Sequence, residues 1–358
     1  MKDFVYTGQA GRVVFGPGAL VHLEREIELL GAKRVLVLST PGQVRLAERV
    51  ASSLGARVAG VFTRAVMHVP LETAQEAREE ARRTGADSMV AIGGGSTTGL
   101  AKAIALDLGL PILAIPTTYA GSEMTTVYGI TEAGVKKTGK DPRVLPRTVI
   151  YDAELTMNLP VVLSVTSGMN AIAHAAEGLY GKDSNPVMNL MAEEGIRAIA
   201  KALPLIRQKP DDVLARSDAL YGAWLCGMVM SSVGMALHHK LCHTLGGSFG
   251  LSHAEVHTVV LPQALAFNAP AAPQAMRCIE RAMGLAGQTS AAAGLFDLAR
   301  DNGAPVALKD IGMKASDLDK AADIAVSNPY WNPRPLGAEQ RPEILELLQR
   351  AYEGIRPV

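Results

Sequence analysis

An α/β domain followed by an all-helical domain is the fold class this sequence predicts, and three observations predict it. Short β-rich runs alternate with helical stretches over residues 1–159. A run of three glycines and a serine sits between one of those strands and the next helix. After about Leu159 the β signals largely vanish, and long Ala/Leu/Met-rich helical periods take over. Repeated β–α units imply a parallel sheet with helices on both faces. The 358 residues suffice for two cores, expected at 1–159 and 160–358.

Each element has its own warrant. Arg34 to Ser39 (RVLVLS) and Ala56 to Thr63 (ARVAGVFT) read as strands. Leu71 to Gly85 is a charged helix stopped by glycine, the usual C-terminal signal. SMVAI leads into Gly93-Gly94-Gly95-Ser96, then a helix from Thr97, then PILAIPTT as strand. RTVIYD closes the alternation at Asp152. In the second half, VMNLMAEEGIRAIAKALPLI and PEILELLQRAYEGI carry helical periods. Ala219 to Leu237 is uncharged and long enough for a membrane span, but its Gly, Ser and Met content predicts a buried core helix.

Composition excludes several classes. Lys+Arg and Asp+Glu are both 35, so no net charge draws the chain to nucleic acid or an anionic membrane. Three cysteines without a CxxC argue against a disulfide framework and for a reducing compartment. MKDFVYTGQAGRVVFG lacks an apolar signal core, so a cytoplasmic protein is expected.

The glycine loop follows a strand and opens a helix. Glycines let backbone approach a phosphate, and the helix N-terminus offers free N–H groups to an anion. The pattern is not GxGxxG, so this is not the usual dinucleotide fingerprint. PTTYAGSEMT after the next strand should lie beside it, because parallel strands gather their carboxyl-end loops at one edge. At the end of the first strand, Ser39 stands where an acid would hold a ribose and repel a 2′-phosphate, which argues against strict NADH selectivity. The candidate cofactor set is Ser39, Gly42, Gln43, Gly93, Gly94, Gly95, Ser96, Thr117, Thr118, Tyr119, Ser122 and Lys137.

Six of eight histidines fall between His174 and His257. Asn170/His174, His239/His243 and His253/His257 are each four residues apart, hence on one helix face. Converging imidazoles suggest either a metal site or a proton-transfer site. Asn170 stands where a metal site would be expected to use a carboxylate.

GGGS before AK, PTTYAGSE, GMNAIAHAAE and H-x3-H-x9-H together resemble the iron-type (group III) alcohol dehydrogenase superfamily, over nearly the whole chain and in the family's order. The resemblance implies a dehydroquinate synthase-like fold with an N-terminal Rossmann-like domain and a helical catalytic domain. Within the superfamily the chain is most similar to the maleylacetate reductases, through GGGSTTGLAKAIAL, IPTTYAGSEMT, SGMNAIAHAAEGLY and NPYWNPRP. Metal-dependent members hold their ion with an Asp and three His. By motif those positions are Asn170, His174, His239 and His253, while His243 matches an active-site histidine that is not a ligand. Gly99 replaces an Asp common in the glycine loop.

An amide is a poor transition-metal ligand beside a carboxylate, so metal-free catalysis is expected; if a metal is bound, His174, His239 and His253 hold it. The reaction the resemblance implies is NADH- or NADPH-dependent reduction of the C=C of maleylacetate to 3-oxoadipate, in aromatic-compound degradation, by a homodimer. His243 or His253 would donate the proton, while His174, His239 and Asn170 orient the substrate and stabilise charge. Lys240, Lys136, Lys137, Lys140 and Arg143 are candidates for the substrate carboxylates, although GVKKTGKDPR also reads as a solvated loop. The competing readings are a metal-dependent (Fe or Zn) alcohol or polyol dehydrogenase, a lyase related to dehydroquinate synthase, and a nucleotide-binding regulatory protein.

Overall fold

The computed structural model describes residues 4, 6–8, 11–132, 135–285, 287 and 289–358, with the side chains of 135 and 136 left out of that description. The chain forms two compact units, one of Gly8–Leu159 and one of Pro160–Val358 together with Met1–Thr7. The expectation placed all of 1–159 in the first domain; the described residues Phe4, Tyr6 and Thr7 group instead with the helical unit.

In the first unit, β1 (Arg12–Phe15), β2 (Val35–Leu38), β3 (Val58–Phe62), β4 (Ser88–Gly93), β5 (Ile112–Pro116) and β8 (Thr148–Tyr151) form one sheet in the order β1-β8-β5-β4-β2-β3. Every pairing in it is parallel. β6 (Val127–Glu132) and β7 (Val135–Lys140) form a separate antiparallel hairpin. The segment read as a solvated loop is therefore largely a strand. The helices are α1 (Leu23–Leu29), α2 (Val44–Leu54), α3 (Leu71–Thr84) and α4 (Gly95–Leu108).

The pleat explains the sequence of the central strands. Leu36, Leu38, Met89, Ala91 and Ile112 face α3 and α4, where Ala74, Ala77, Ala81, Leu100 and Ile104 meet them. Val35, Val37, Val90, Ile92, Leu113 and Ile115 face the other way, onto Leu23 and Ile27 of α1 and Val50 and Leu54 of α2. Because both faces are covered, these strands read as continuous apolar runs. β2 has β3 on one side and β4 on the other, so the winding reverses between β2 and β4. Open α/β sheets bind ligands at the carboxyl ends flanking such a reversal.

The second unit contains α5 (Val161–Tyr180), α6 (Pro186–Gln208), α7 (Val213–Ser232), α8 (Leu237–Phe249), α9 (His253–Asn268), α10 (Pro273–Met283), α11 (Ala291–Asp301), α12 (Leu318–Ser327) and α13 (Arg341–Glu353). α5 is buried from Ser164 to Tyr180 and packs against α6, α7 and α9. The stretch read as one buried helix is divided. α7 ends at Ser232 and α8 leaves at 98° to it, after a break of four residues. Among the described residues no single helix is long and apolar enough to cross a membrane; the bent pair passes only by length and composition. The bend matters because it points the N-terminus of α8 at α5.

Candidate active site

At the carboxyl edge of the sheet, the glycine loop is tighter than the sequence suggested. α4 begins at Gly95, with Gly94 as its cap and no side chain capping the first N–H groups. Those donors are what an anion at a helix N-terminus uses. Gly93 has φ +151°, and a Cβ there would lie 2.4 Å from Thr97 Oγ1 and 2.8 Å from Gln43 Oε1. Gln43 Nε2 donates to Thr117 Oγ1 at 2.7 Å, and Thr117 N donates to Gly93 O at 3.1 Å. The ends of β2, β4 and β5 are thereby tied together.

Beneath them lies Lys102, fully buried on α4. Its Nζ donates to the carbonyls of Ser122, Thr125 and Val127 and to the Thr125 hydroxyl, at 2.7 to 2.8 Å. Burial draws this ammonium down to about 7 against the opposing pull of Glu123, while the four acceptors favour keeping its proton. The second polar loop is thus strapped to the glycine-loop helix.

Ser39, Gly42, Gln43, Gly93, Gly94, Gly95, Ser96, Thr117 and Thr118 all fall at this edge, on or just after the carboxyl ends of β2, β4 and β5. Tyr119, Ser122 and Lys137 are the other expected residues. Tyr119 is fully buried. Ser122 opens a 3-10 turn, and its carbonyl is held by Lys102. Lys137 sits on the hairpin, ion-paired to Glu132 at 2.5 Å. Among the proposed carboxylate binders, Arg143 is engaged by Asp141 at 2.7 Å, and Lys140 ends the hairpin, exposed. The side chain of Lys136 lies outside the described residues.

In the helical unit the histidines gather as their spacing predicted. α5 supplies Asn170 and His174, α8 supplies His238, His239 and His243, and α9 supplies His253 and His257. The His174 and His239 rings stack with centroids 5.2 Å apart. His257 is the hub, 4.3 Å from His253, 4.8 Å from His238, 4.9 Å from His239 and 6.2 Å from His174. His243 joins at 6.0 Å from His239. Asn170, His174, His238, His239 and His257 are buried, whereas His243 and His253 are half-exposed. Burial, followed by the charge of neighbouring imidazoles, holds His174, His238 and His257 well below the usual histidine range. His174, His238 and His257 are therefore neutral, and His243 and His253 meet solvent.

Three nitrogens in this cluster, His174 Nδ1, His239 Nε2 and His257 Nε2, are buried with no hydrogen-bond partner among the described residues. Unsatisfied buried polar atoms are costly and concentrate where a ligand completes them.

Two groups escaped the reading from sequence. Glu177, fully buried one turn beyond His174, holds His239 Nδ1 at 2.7 Å. It is the one Asp, Glu, Lys or Arg in the twenty residues of α5, which was the available signal. Tyr330, in the NPYWNPRP segment, places its hydroxyl 2.9 Å from His243 Nδ1, and its ring lies 5.9 Å from the ammonium of Lys240. Lys240 thus stands beside the outer histidines.

Comparison with known proteins adds the family. Residues 10–153 match the description "Iron-containing alcohol dehydrogenase", and residues 164–352 match "Fe-containing alcohol dehydrogenase family, C-terminal". The chain belongs to the iron-containing alcohol dehydrogenase family. A maleylacetate reductase of Burkholderia cepacia is 63% identical over 357 residues, covering 100% of both chains. One from Pseudomonas sp. (strain P51) is 57% identical, covering 99% of each. The crystal structure of maleylacetate reductase from Agrobacterium tumefaciens superposes with a TM-score of 0.95 at 53% identity, covering 100% of both chains.

The family's name implies iron, and one feature of this member fits it. His239 offers a buried Nε2 while a carboxylate backs its Nδ1, the arrangement common around metal-bound imidazoles. The remaining donors do not fit. Position 170 carries an amide, and Glu177 is turned to Nδ1 and to backbone N–H groups. Among the described residues, the donors that come within 4.8 Å of one another are those of His238, Cys242 and His257, not those of His174, His239 and His253. His238 and His257 are already hydrogen-bonded to each other at 3.0 Å. A site built on three imidazoles and an amide lacks the anionic ligand that favours ferrous iron.

Proposed function

We propose that this chain is a maleylacetate reductase, an oxidoreductase that uses NADH or NADPH to saturate the C=C of maleylacetate and release 3-oxoadipate. The observation that carries the reading is the buried imidazole cluster, which has three nitrogens without a hydrogen-bond partner among the described residues and so available to a polar substrate. The identity of relatives bearing that name, over the whole chain, supports the substrate.

Ser39, Gln43, Gly94, Gly95, Ser96, Thr117 and Thr118 would hold the nucleotide, with the uncapped start of α4 receiving a phosphate. When bound, the reduced nicotinamide supplies a hydride to the alkene carbon β to the ketone. Negative charge then develops on the ketone oxygen, where N–H donors of His174 and Asn170 can stabilise it, while His239 orients the substrate by accepting a hydrogen bond at Nε2. His243 or His253, each half-exposed, would deliver a proton and recover it from water. Lys240 offers a cation for a substrate carboxylate. No acid follows β2 at Ser39, which supports acceptance of NADPH as well as NADH. A cytoplasmic homodimer acting in aromatic-compound degradation completes the reading, on the strength of the resemblance.

The experiment is oxidation of NADH and NADPH by chelator-treated protein with maleylacetate added. Rapid oxidation without metal is expected. Oxidation only after Fe²⁺ or Zn²⁺ is restored would favour the second reading, a metal-dependent alcohol dehydrogenase, which the buried Nε2 of His239 supports. No oxidation under either condition would overturn the substrate.

A further inference from the structure

Glu177 does more in this fold than accept a hydrogen bond from a histidine. Its two carboxylate oxygens receive Ala236 N at 2.8 Å, His238 N at 2.7 Å and His239 Nδ1 at 2.7 Å. The two backbone groups are orphan donors at the start of α8, whose cap residue, Ala236, has no side chain able to satisfy them. The third, from Leu237, goes to Asn332 Oδ1 at 3.3 Å. With both oxygens accepting backbone N–H groups, the hydrogen between Oε2 and Nδ1 belongs to the imidazole.

We infer that Glu177 is the positioning residue that fixes His239 in one tautomer, with hydrogen on Nδ1, so that Nε2 is the nitrogen His239 presents to the substrate. The geometry leaves no second arrangement of equal quality. Flipping the ring would place carbon against the carboxylate and lose a hydrogen bond between two buried groups. The stack with His174 at 5.2 Å limits the ring's rotation further. Asn170, His174 and Glu177 follow one another at i, i+4 and i+7 on α5, so one helix face carries both the groups at the pocket and the group that orients His239. Every hydrogen bond or proton that His239 exchanges with the substrate then passes through Nε2, as in other carboxylate–histidine pairs.

The substrate named here rests on the reductase reading, but the tautomer does not, and the test separates them. Nitrogen-15 NMR of chelator-treated protein, with the His239 signal assigned from a His239→Gln spectrum, reads the tautomer directly. Hydrogen on Nδ1 is expected. Hydrogen on Nε2 in the unmodified protein overturns the inference, whatever the activity assays show. Glu177→Gln then tests the consequence. Its amide has one acceptor oxygen for three donors, so His239 should lose its single tautomer. We expect kcat with maleylacetate to fall about 10- to 100-fold, the usual effect of removing such a partner, with KM and NADH affinity within about threefold. A folded Glu177→Gln protein that keeps both the tautomer and kcat overturns the inference. If that variant does not fold, the tautomer in the unmodified protein decides alone. Loss of maleylacetate activity with the Nδ1 tautomer intact would count against the substrate, not against Glu177.

Discussion

His238 Nε2 lies 3.0 Å from His257 Nδ1, and both rings are fully buried. This bond joins α8 to α9 at the centre of the histidine cluster, with Cys242 Sγ 3.5 Å from the same Nε2. Removing either partner leaves a buried nitrogen unsatisfied, at about 1–3 kcal/mol, and opens a cavity besides. His238→Ala and His257→Ala should therefore each lower stability by roughly 2–4 kcal/mol. The double variant should lose less than the sum of the two. Urea unfolding of all three variants measures it, and strictly additive losses would show that the pair is not coupled.

Acid should destabilise this protein early. Burial holds His174, His238 and His257 well below their ordinary 6.5 in the folded state. Below that pH the unfolded chain takes up protons that the folded chain refuses. Stability is therefore complete above 6.5 and falls as the pH drops towards the depressed folded values, by up to about 4 kcal/mol per pH unit for three such groups. The urea midpoint should fall steeply from pH 6.5 to 5.5. A flat profile there would mean that these imidazoles charge without unfolding.

The glycine loop gives a local test of the cofactor site. At Gly93, φ is +151° and the space beside it belongs to Thr97 Oγ1 and Gln43 Oε1. Gly93→Ala would push both groups aside and loosen the tie from Gln43 to Thr117. NADH affinity, followed by nicotinamide fluorescence, should fall at least tenfold, or about 1.4 kcal/mol. Unchanged affinity would place the nucleotide elsewhere.

A side chain at position 99 would meet a steric obstacle. A Cβ there would lie 2.8 Å from Val69 Cγ2. Val69 cannot easily retreat: its backbone is left-handed at φ +50°, and its carbonyl accepts Thr131 N at 3.0 Å. Gly99→Asp should cost about 1–3 kcal/mol, as overpacking does, and Val69→Ala in the same chain should recover part of it. Equal melting temperatures for the Gly99→Asp and unmodified proteins would refute the steric account.

How much of this was legible beforehand depended on whether neighbours in sequence are neighbours in space. The parallel sheet was readable because Val35–Leu38 and Ser88–Gly93 are buried on both faces and so spell apolar runs. The histidine pairs were readable because i, i+4 spacing survives folding. The β6–β7 hairpin was not: Lys136, Lys137 and Lys140 make β7 look like a solvated loop, and a strand exposed to water has little apolar pattern to show. Tyr330 meets His243 across 87 positions, which no local period encodes. Glu177 was the intermediate case, a lone carboxylate in an apolar helix that had to find donors somewhere.

The position of β1 at the sheet's edge bears on how the chain is made. Its register, Arg12 against Thr148, means that this sheet's first strand in chain order has no partner until its last one is synthesised. β5 likewise shows an open edge until β8 arrives. A nascent chain cut short before Thr148 would carry unpaired strand edges at both places, the condition under which sheets recruit other chains. Translation has to run through Tyr151 before this domain can protect itself from aggregation.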